Sequence, residues 1–219
     1  MTNKYRHILW DWNGTLLDDV WLCIEIFNGM LIKRGMITIN FEQYREMFDF
    51  PVRKCYERAG FDFSKETFDC VAAEFVNEYA GRVGECQLND GARELLDLFA
   101  DSGAQQSILS ATEQTQLESM IAESGLNGMF SRIVGQSNHF ANGKVQSSRD
   151  LMESLGISRH QVLLIGDTIH DYDIAEQLGI DCALVSIGHH SREKLKRKSA
   201  RVFDQLSDVA NLLKGEESA

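Results

Sequence analysis

The chain is short of proline, of paired cysteine, of positive charge and of long apolar runs, and these shortages narrow the possibilities. One proline (Pro51), no internal repeat and no low-complexity stretch leave no sign of a linker. The five cysteines (Cys23, Cys55, Cys70, Cys86, Cys182) are odd in number, widely spaced and without a C-x-x-C. That points away from a disulfide or zinc framework and toward reduced thiols in a cytoplasmic protein. Lys and Arg total 22 against 33 Asp and Glu, a net charge of −11, which argues against generic binding to nucleic acid or an anionic membrane. The basic stretch "REKLKRK" (192–198) is read as a solvated helix face. No apolar stretch is long enough to span a bilayer, and charge breaks the N-terminal apolar run before a signal-peptide cleavage site could follow. What remains is the composition of a soluble globular protein, 43% hydrophobic and 25% charged over 219 residues. That length suits one large domain or a domain carrying an insertion.

From residue 88 onward apolar strand patterns alternate with helical ones. "QQSILSA", "RIVGQ", "QVLLIGD" and "DCALVSIG" read as strands. "GARELLDLFADSG", "TEQTQLESMIAESG", "SSRDLMESLG" and "HDYDIAEQLG" read as helices. "ARVFDQLSDVANLL" adds a last strand and helix, and "KGEESA" reads as a frayed tail. Near-continuous apolar strands separated by helices predict a parallel sheet covered on both faces, an α/β, Rossmann-like core. After a first strand, "HILWDWN", residues 17–87 hold helical patterns alone, and Asn40 with Gln43 predicts a capping box. The expected organisation is therefore a core of residues 1–16 and 88–219 with an all-helical cap, 17–87, inserted after the first strand. Such an insertion covers the carboxyl end of that strand, where open α/β sheets bind ligands.

Four positions offer reactive groups at those strand ends. Asp11 closes the first strand and Ser110 closes "QQSILSA". Lys144 lies in "NGKVQ" before a helix, and Asp167 closes "QVLLIGD", with Asp171 and Asp173 just beyond. In a parallel sheet these ends share one edge. Carboxylates brought together there repel unless a cation sits between them, and hard oxygen ligands suit Mg²⁺ with phosphate as its partner. A hydroxyl and an ammonium hold the remaining phosphate oxygens, and an Asp among them can act as a nucleophile. The plainer alternatives are a hairpin turn at Asn13-Gly14, helix capping by Asp167 and Asp171, an N-cap at Ser110 and an exposed charge at Lys144. His189-His190 lacks partners at metal-ligand spacing and reads as a strand-exit loop near the site. Alternation sends Trp10 and Trp12 to the face opposite Asp11, so packing is their expected role. Phe27, Met30, Leu31, Phe68, Val71, Phe75 and Val76 read as core of the helical segment.

"DWNGTLLDD" (11–19), the Ser of "SILS", Lys144 and "GDTIHDYDIA", in that order, resemble the four motifs of the haloacid dehalogenase superfamily. The helical insertion resembles the cap of its phosphoglycolate-phosphatase-like branch. The resemblance covers essentially the whole chain. It implies that Asp11 is the nucleophile and a Mg²⁺ ligand, with the Asn13 carbonyl, Asp167 and Asp171 completing the metal site. Ser110, Ala111, Lys144, Gly14 and Thr15 would seat the phosphate of a small phosphorylated metabolite, in a monomer or homodimer. One position departs from the pattern. Asn13 stands where most such phosphatases carry the Asp that protonates the leaving group, and an amide cannot exchange that proton. Two alternatives follow: a phospho-ligand binder with little turnover, or a hydrolase similar to the phosphonoacetaldehyde hydrolases, whose first motif also lacks this acid. The latter use a cap lysine, for which Lys54 and Lys33 are the neighbours of the matching position, Pro51.

Overall fold

The computed structural model describes residues 4–136, 144–199 and 201–214, and of residues 144–146 and 213–214 the backbone alone. The tail expected to fray beyond Lys214 falls outside them. The chain opens with β1 (His7–Trp10), a run of four buried residues, as a strand covered on both faces requires. A two-residue strand, β2 (Leu17–Asp18), leads into four helices, α1 (Val20–Lys33), α2 (Phe41–Met47), α3 (Arg53–Ala59) and α4 (Phe68–Arg82). The chain returns through β3 (Gln87–Leu88), which pairs antiparallel with β2, Leu17 opposite Leu88. Thus the helical segment hangs on a paired two-strand stalk. The expected capping box starts α2, with Asn40 accepting from the Gln43 N–H and Gln43 from the Asn40 N–H, each at 2.9 Å.

Beyond the stalk come α5 (Ala92–Asp101), β4 (Gln105–Glu113), α6 (Gln114–Glu123), β5 (Arg132–Gln136) and α7 (Lys144–Leu155). They are followed by β6 (Val162–Gly166), α8 (Ile169–Leu178), β7 (Asp181–Val185), α9 (Arg192–Lys196), β8 (Val202–Phe203) and α10 (Leu206–Val209). The six long-range strands form one parallel sheet in the order β5-β4-β1-β6-β7-β8. Strand alternation sorts its side chains. Ile8, Trp10, Ile108, Leu163, Ile165 and Val185 pack on one face with Leu96, Phe99 and Leu117. Leu9, Leu109, Leu164 and Leu184 pack on the other with Ile174, Leu178 and Leu195. Trp10 and Trp12 are both fully buried, Trp10 edge-on to Phe99 at 5.8 Å. All five cysteines are free thiols.

Three readings of the sequence shift. Ser110 does not close its strand, because β4 runs on to Glu113 with a slip in its pairing to β5 between Leu109 and Glu113. Glu113, expected inside a helix, instead caps α6, its carboxylate accepting from the Gln116 N–H at 3.0 Å. Within the basic stretch Lys194 is buried, its ammonium donating to the backbone carbonyls of Glu46, at 3.1 Å, and Phe48. Charge count alone does not reveal a lysine stem lying between two elements.

Candidate active site

β1 lies at the centre of the sheet, with β4 on one side and β6 on the other, and the connections leave it in both directions. A crevice at the carboxyl ends of the strands follows from that reversal. Asp11, the first residue past β1, donates its N–H to the Ile165 carbonyl at 2.9 Å and is buried. Asp167 follows β6, and Asp171 stands in the first turn of α8. Asp171 accepts from the Thr168 hydroxyl at 2.6 Å and the Thr168 N–H at 3.1 Å. The carboxylates of Asp11, Asp167 and Asp171, all buried, lie within 4.8 Å of one another. Asp171 thus belongs both to the capping box that starts α8 and to this carboxylate cluster.

Three glycines, Gly14, Gly166 and Gly188, permit this crowding. A Cβ on Gly188 would stand 2.0 Å from the Asp167 Oδ2. One on Gly14, whose φ is +74°, would stand 2.5 Å from the same atom. Thr15 donates its hydroxyl to Asp167 Oδ1 at 3.0 Å, and the His189 N–H donates to Oδ2 at 2.5 Å. Burial and then Asp171 push the Asp167 carboxyl up to about 6, with His189 and these hydrogen bonds pulling the other way. Buried acids held this close, one of them with a raised pKa, form a donor set of hard oxygens that can hold a divalent cation.

The turn "DWNGT" also bends back on itself, as the expected turn at Asn13-Gly14 requires. Beyond that it feeds a second buried cluster, which reading the sequence missed. Asp19, fully buried, accepts from Asn13 Nδ2 at 2.8 Å, the Gly14 N–H at 2.9 Å and the Tyr79 hydroxyl at 2.6 Å. His189 Nε2 lies 3.4 Å from its other side. Burial opposes charge on the His189 ring, but the Asp19 carboxylate outweighs it and raises the pKa to about 9. The same partners hold the Asp19 carboxyl below its ordinary value despite its burial. An Asp at a helix start ordinarily caps it. Asp19 occupies that place on α1 but makes no side-chain cap bond, having turned toward Asn13 instead.

Asn13 Oδ1 accepts from the Thr112 hydroxyl at 2.6 Å and lies 3.5 Å from Ser110 Oγ. The Thr112 N–H donates to Ser110 Oγ at 3.1 Å. Ser110, Ala111 and Thr112 thus form the wall of the crevice on the β4 side. Lys144 is the first residue of α7, rather than a loop residue, and its side chain lies outside the described residues. Of the two lysines weighed for Schiff-base chemistry, Lys33 is exposed and pairs with Glu74 at 2.7 Å, and Lys54 is exposed.

α2 and the residues after it close over the loop that follows β7. Tyr44 Oη lies 3.0 Å from His189 Nδ1, and the Phe48 ring stacks on His189 at 4.7 Å. Arg45 donates to the carbonyls of Ser186 and, at 2.7 Å, His190. His190 accepts from the Ile169 N–H at Nδ1 and reaches the Phe48 carbonyl from Nε2, each at 3.0 Å. Burial pushes its pKa down to about 3, so the ring is neutral with its proton on Nε2.

A family model, haloacid dehalogenase-like hydrolase, matches residues 8–185. A phosphoglycolate phosphatase of Synechococcus elongatus is 24% identical over 86% of this chain and 87% of its own. A 5′-nucleotidase of Pseudomonas aeruginosa is 24% identical over 88% of each. A crystal structure described as a predicted phosphatase from Clostridium acetobutylicum superposes with a TM-score of 0.81 at 22% identity, covering 97% of this chain and 99% of that one.

Proposed function

The chain belongs to the haloacid dehalogenase-like hydrolase family, and from that premise we propose that it is a Mg²⁺-dependent phosphatase acting on a small phosphorylated metabolite. The observation that carries this reading is the set of three buried carboxylates, Asp11, Asp167 and Asp171, gathered at the carboxyl end of the central strands. Relatives with the names phosphoglycolate phosphatase and 5′-nucleotidase support a small phosphate ester as substrate.

Asp11 and Asp167, with the Asn13 carbonyl, would hold the cation, and Asp171 would fix its surroundings. When bound, Mg²⁺ supplies positive charge opposite the phosphate oxygens. Asp11 attacks phosphorus, forming an aspartyl phosphate as the bond to the leaving oxygen breaks, and water then hydrolyses that acyl phosphate, returning the Asp11 carboxylate and releasing phosphate. Ser110 Oγ, the backbone at Gly14, Thr15 and Ala111, and the Lys144 ammonium are the groups assigned to the phosphoryl oxygens. Residues 17–87 act as the cap on a core of 1–16 and 88–219, opening for entry and closing to exclude water. The protein works in the cytoplasm as a monomer or homodimer.

Asn13 has no proton to give the leaving group, so esters of acidic alcohols, acyl phosphates and anhydrides are the favoured substrates. The amide is engaged at both ends, which also favours a second reading, a phospho-ligand binder with slow turnover. A panel of phosphate esters and anhydrides, assayed for phosphate release with Mg²⁺ and with EDTA, separates the two. Metal-dependent turnover is the expected result. Phosphate binding without turnover on any member would establish the binder instead.

A further inference from the structure

The surroundings of residue 13 are specific for an amide. Asn13 Nδ2 lies 2.8 Å from Asp19 Oδ2 and 2.8 Å from the Tyr79 hydroxyl oxygen, and donates on that side to the Asp19 carboxylate. Tyr79 in turn donates to the same Asp19 oxygen at 2.6 Å. An ionised carboxylate only accepts, so the amide has one orientation, with Oδ1 toward Thr112. That oxygen takes the Thr112 hydroxyl at 2.6 Å, and Thr112 is bonded through its N–H to Ser110. One side chain therefore ties the loop after Asp11 to the end of β4, and Asp19 decides which way it faces.

We propose that Asp19 is a positioning residue for residue 13, and that the two form a matched amide–carboxylate pair whose members can be exchanged together but not singly. For its kinetic consequence the proposal rests on the phosphatase reading above; for its structural consequence it rests on the geometry alone.

The hydrogen-bond inventory states what each exchange does. Asn13→Asp sets two carboxylates against each other where a 2.8 Å hydrogen bond stood. Asp19→Asn turns one of two accepting oxygens into a donor. It then faces either Asn13 Nδ2 and Tyr79 on one side or the Gly14 N–H and His189 on the other. In the combined exchange every group finds a partner again. The amide placed at position 19 donates its N–H to the carboxylate placed at position 13, and its oxygen keeps the Gly14 N–H and His189. Tyr79 then donates to the carboxylate at position 13. A carboxyl thus stands beside the crevice.

The test compares wild type, Asn13→Asp, Asp19→Asn and the combined variant with Mg²⁺ on p-nitrophenyl phosphate and on phosphoglycolate, an alkyl ester. Each single exchange lowers kcat on the aryl ester about tenfold or more with KM nearly unchanged, the cost of a mispaired buried charge. The combined variant recovers wild-type kcat on the aryl ester to within about threefold, and exceeds wild type on the alkyl ester, where a proton at residue 13 matters most. Melting temperatures of the four proteins form the same cycle without turnover: both singles fall and the combined variant returns toward wild type. Losses that simply multiply in kcat and add in melting temperature overturn the proposal. If wild type shows no metal-dependent turnover, the phosphatase reading fails, and the melting cycle alone decides whether residues 13 and 19 are a pair.

Discussion

Gly14 shows how much of the site rests on single residues. Its positive φ excludes most side chains, and a methyl group there would meet Asp167 Oδ2 at 2.5 Å and the His189 ring at 2.6 Å. Gly14→Ala should therefore destabilise the protein by about 2 kcal/mol or more, read from the urea midpoint, and abolish turnover. An unchanged midpoint would mean that the loop rearranges freely. Tyr79→Phe removes the hydroxyl that Asn13 and Asp19 share, and should cost about 1–3 kcal/mol of stability, measured the same way. At this scale the sequence was half legible. Asp11, Asp167 and Asp171 were readable because each ends a strand or opens a helix next to one. Asp19, Tyr79 and Thr112 were not, and of His189 only its place in a strand-exit loop near the site was readable. Asp19 has the look of an ordinary helix cap, and Tyr79 of one more apolar face residue on α4, until the fold brings them to Asn13.

Elements with strong periodicity were readable to within a few residues. β5 runs over "RIVGQ" as expected, and the Asn40–Gln43 box starts α2. The extension of β4 past Ser110 was not readable, since "SATE" is polar and takes its strand geometry from pairing with β5. Nor was the contact between α2 and the loop after β7, which depends on tertiary placement. Arg45 is its centre, giving hydrogen bonds to the Ser186 and His190 carbonyls. Arg45→Ala leaves those carbonyls unpaired and should lower stability by about 2 kcal/mol. Hydrogen exchange should speed up first in residues 186–191, with the β1 and β6 amides little changed. Uniform acceleration through the sheet would show that this contact is not a local element.

Across the whole molecule, the parallel sheet with its reversal beside β1 is what brings the distant stretches around Asp11, Ser110 and Asp167 to one edge. Alternating apolar strands and helices made that architecture legible from the chain. Two histidines tie its stability to pH. Burial pushes His7 down to about 4 and His190 to about 3, from an ordinary 6.5. Both are neutral in the folded state while the unfolded chain takes up protons, so their contribution is intact above pH 6.5 and is lost as pH falls toward 4. His7→Gln, which keeps a partner for the Ser107 hydroxyl, should lose less stability than wild type between pH 7 and pH 4.5, by on the order of 2 kcal/mol. Equal losses would assign the acid sensitivity elsewhere. The nucleophile proposed here, Asp11, is tested by phosphate release from p-nitrophenyl phosphate by wild type and Asp11→Asn, with and without Mg²⁺. Release by wild type should require Mg²⁺ and fall about 10³-fold or more in Asp11→Asn. Turnover that survives in Asp11→Asn would rule out Asp11 as the nucleophile.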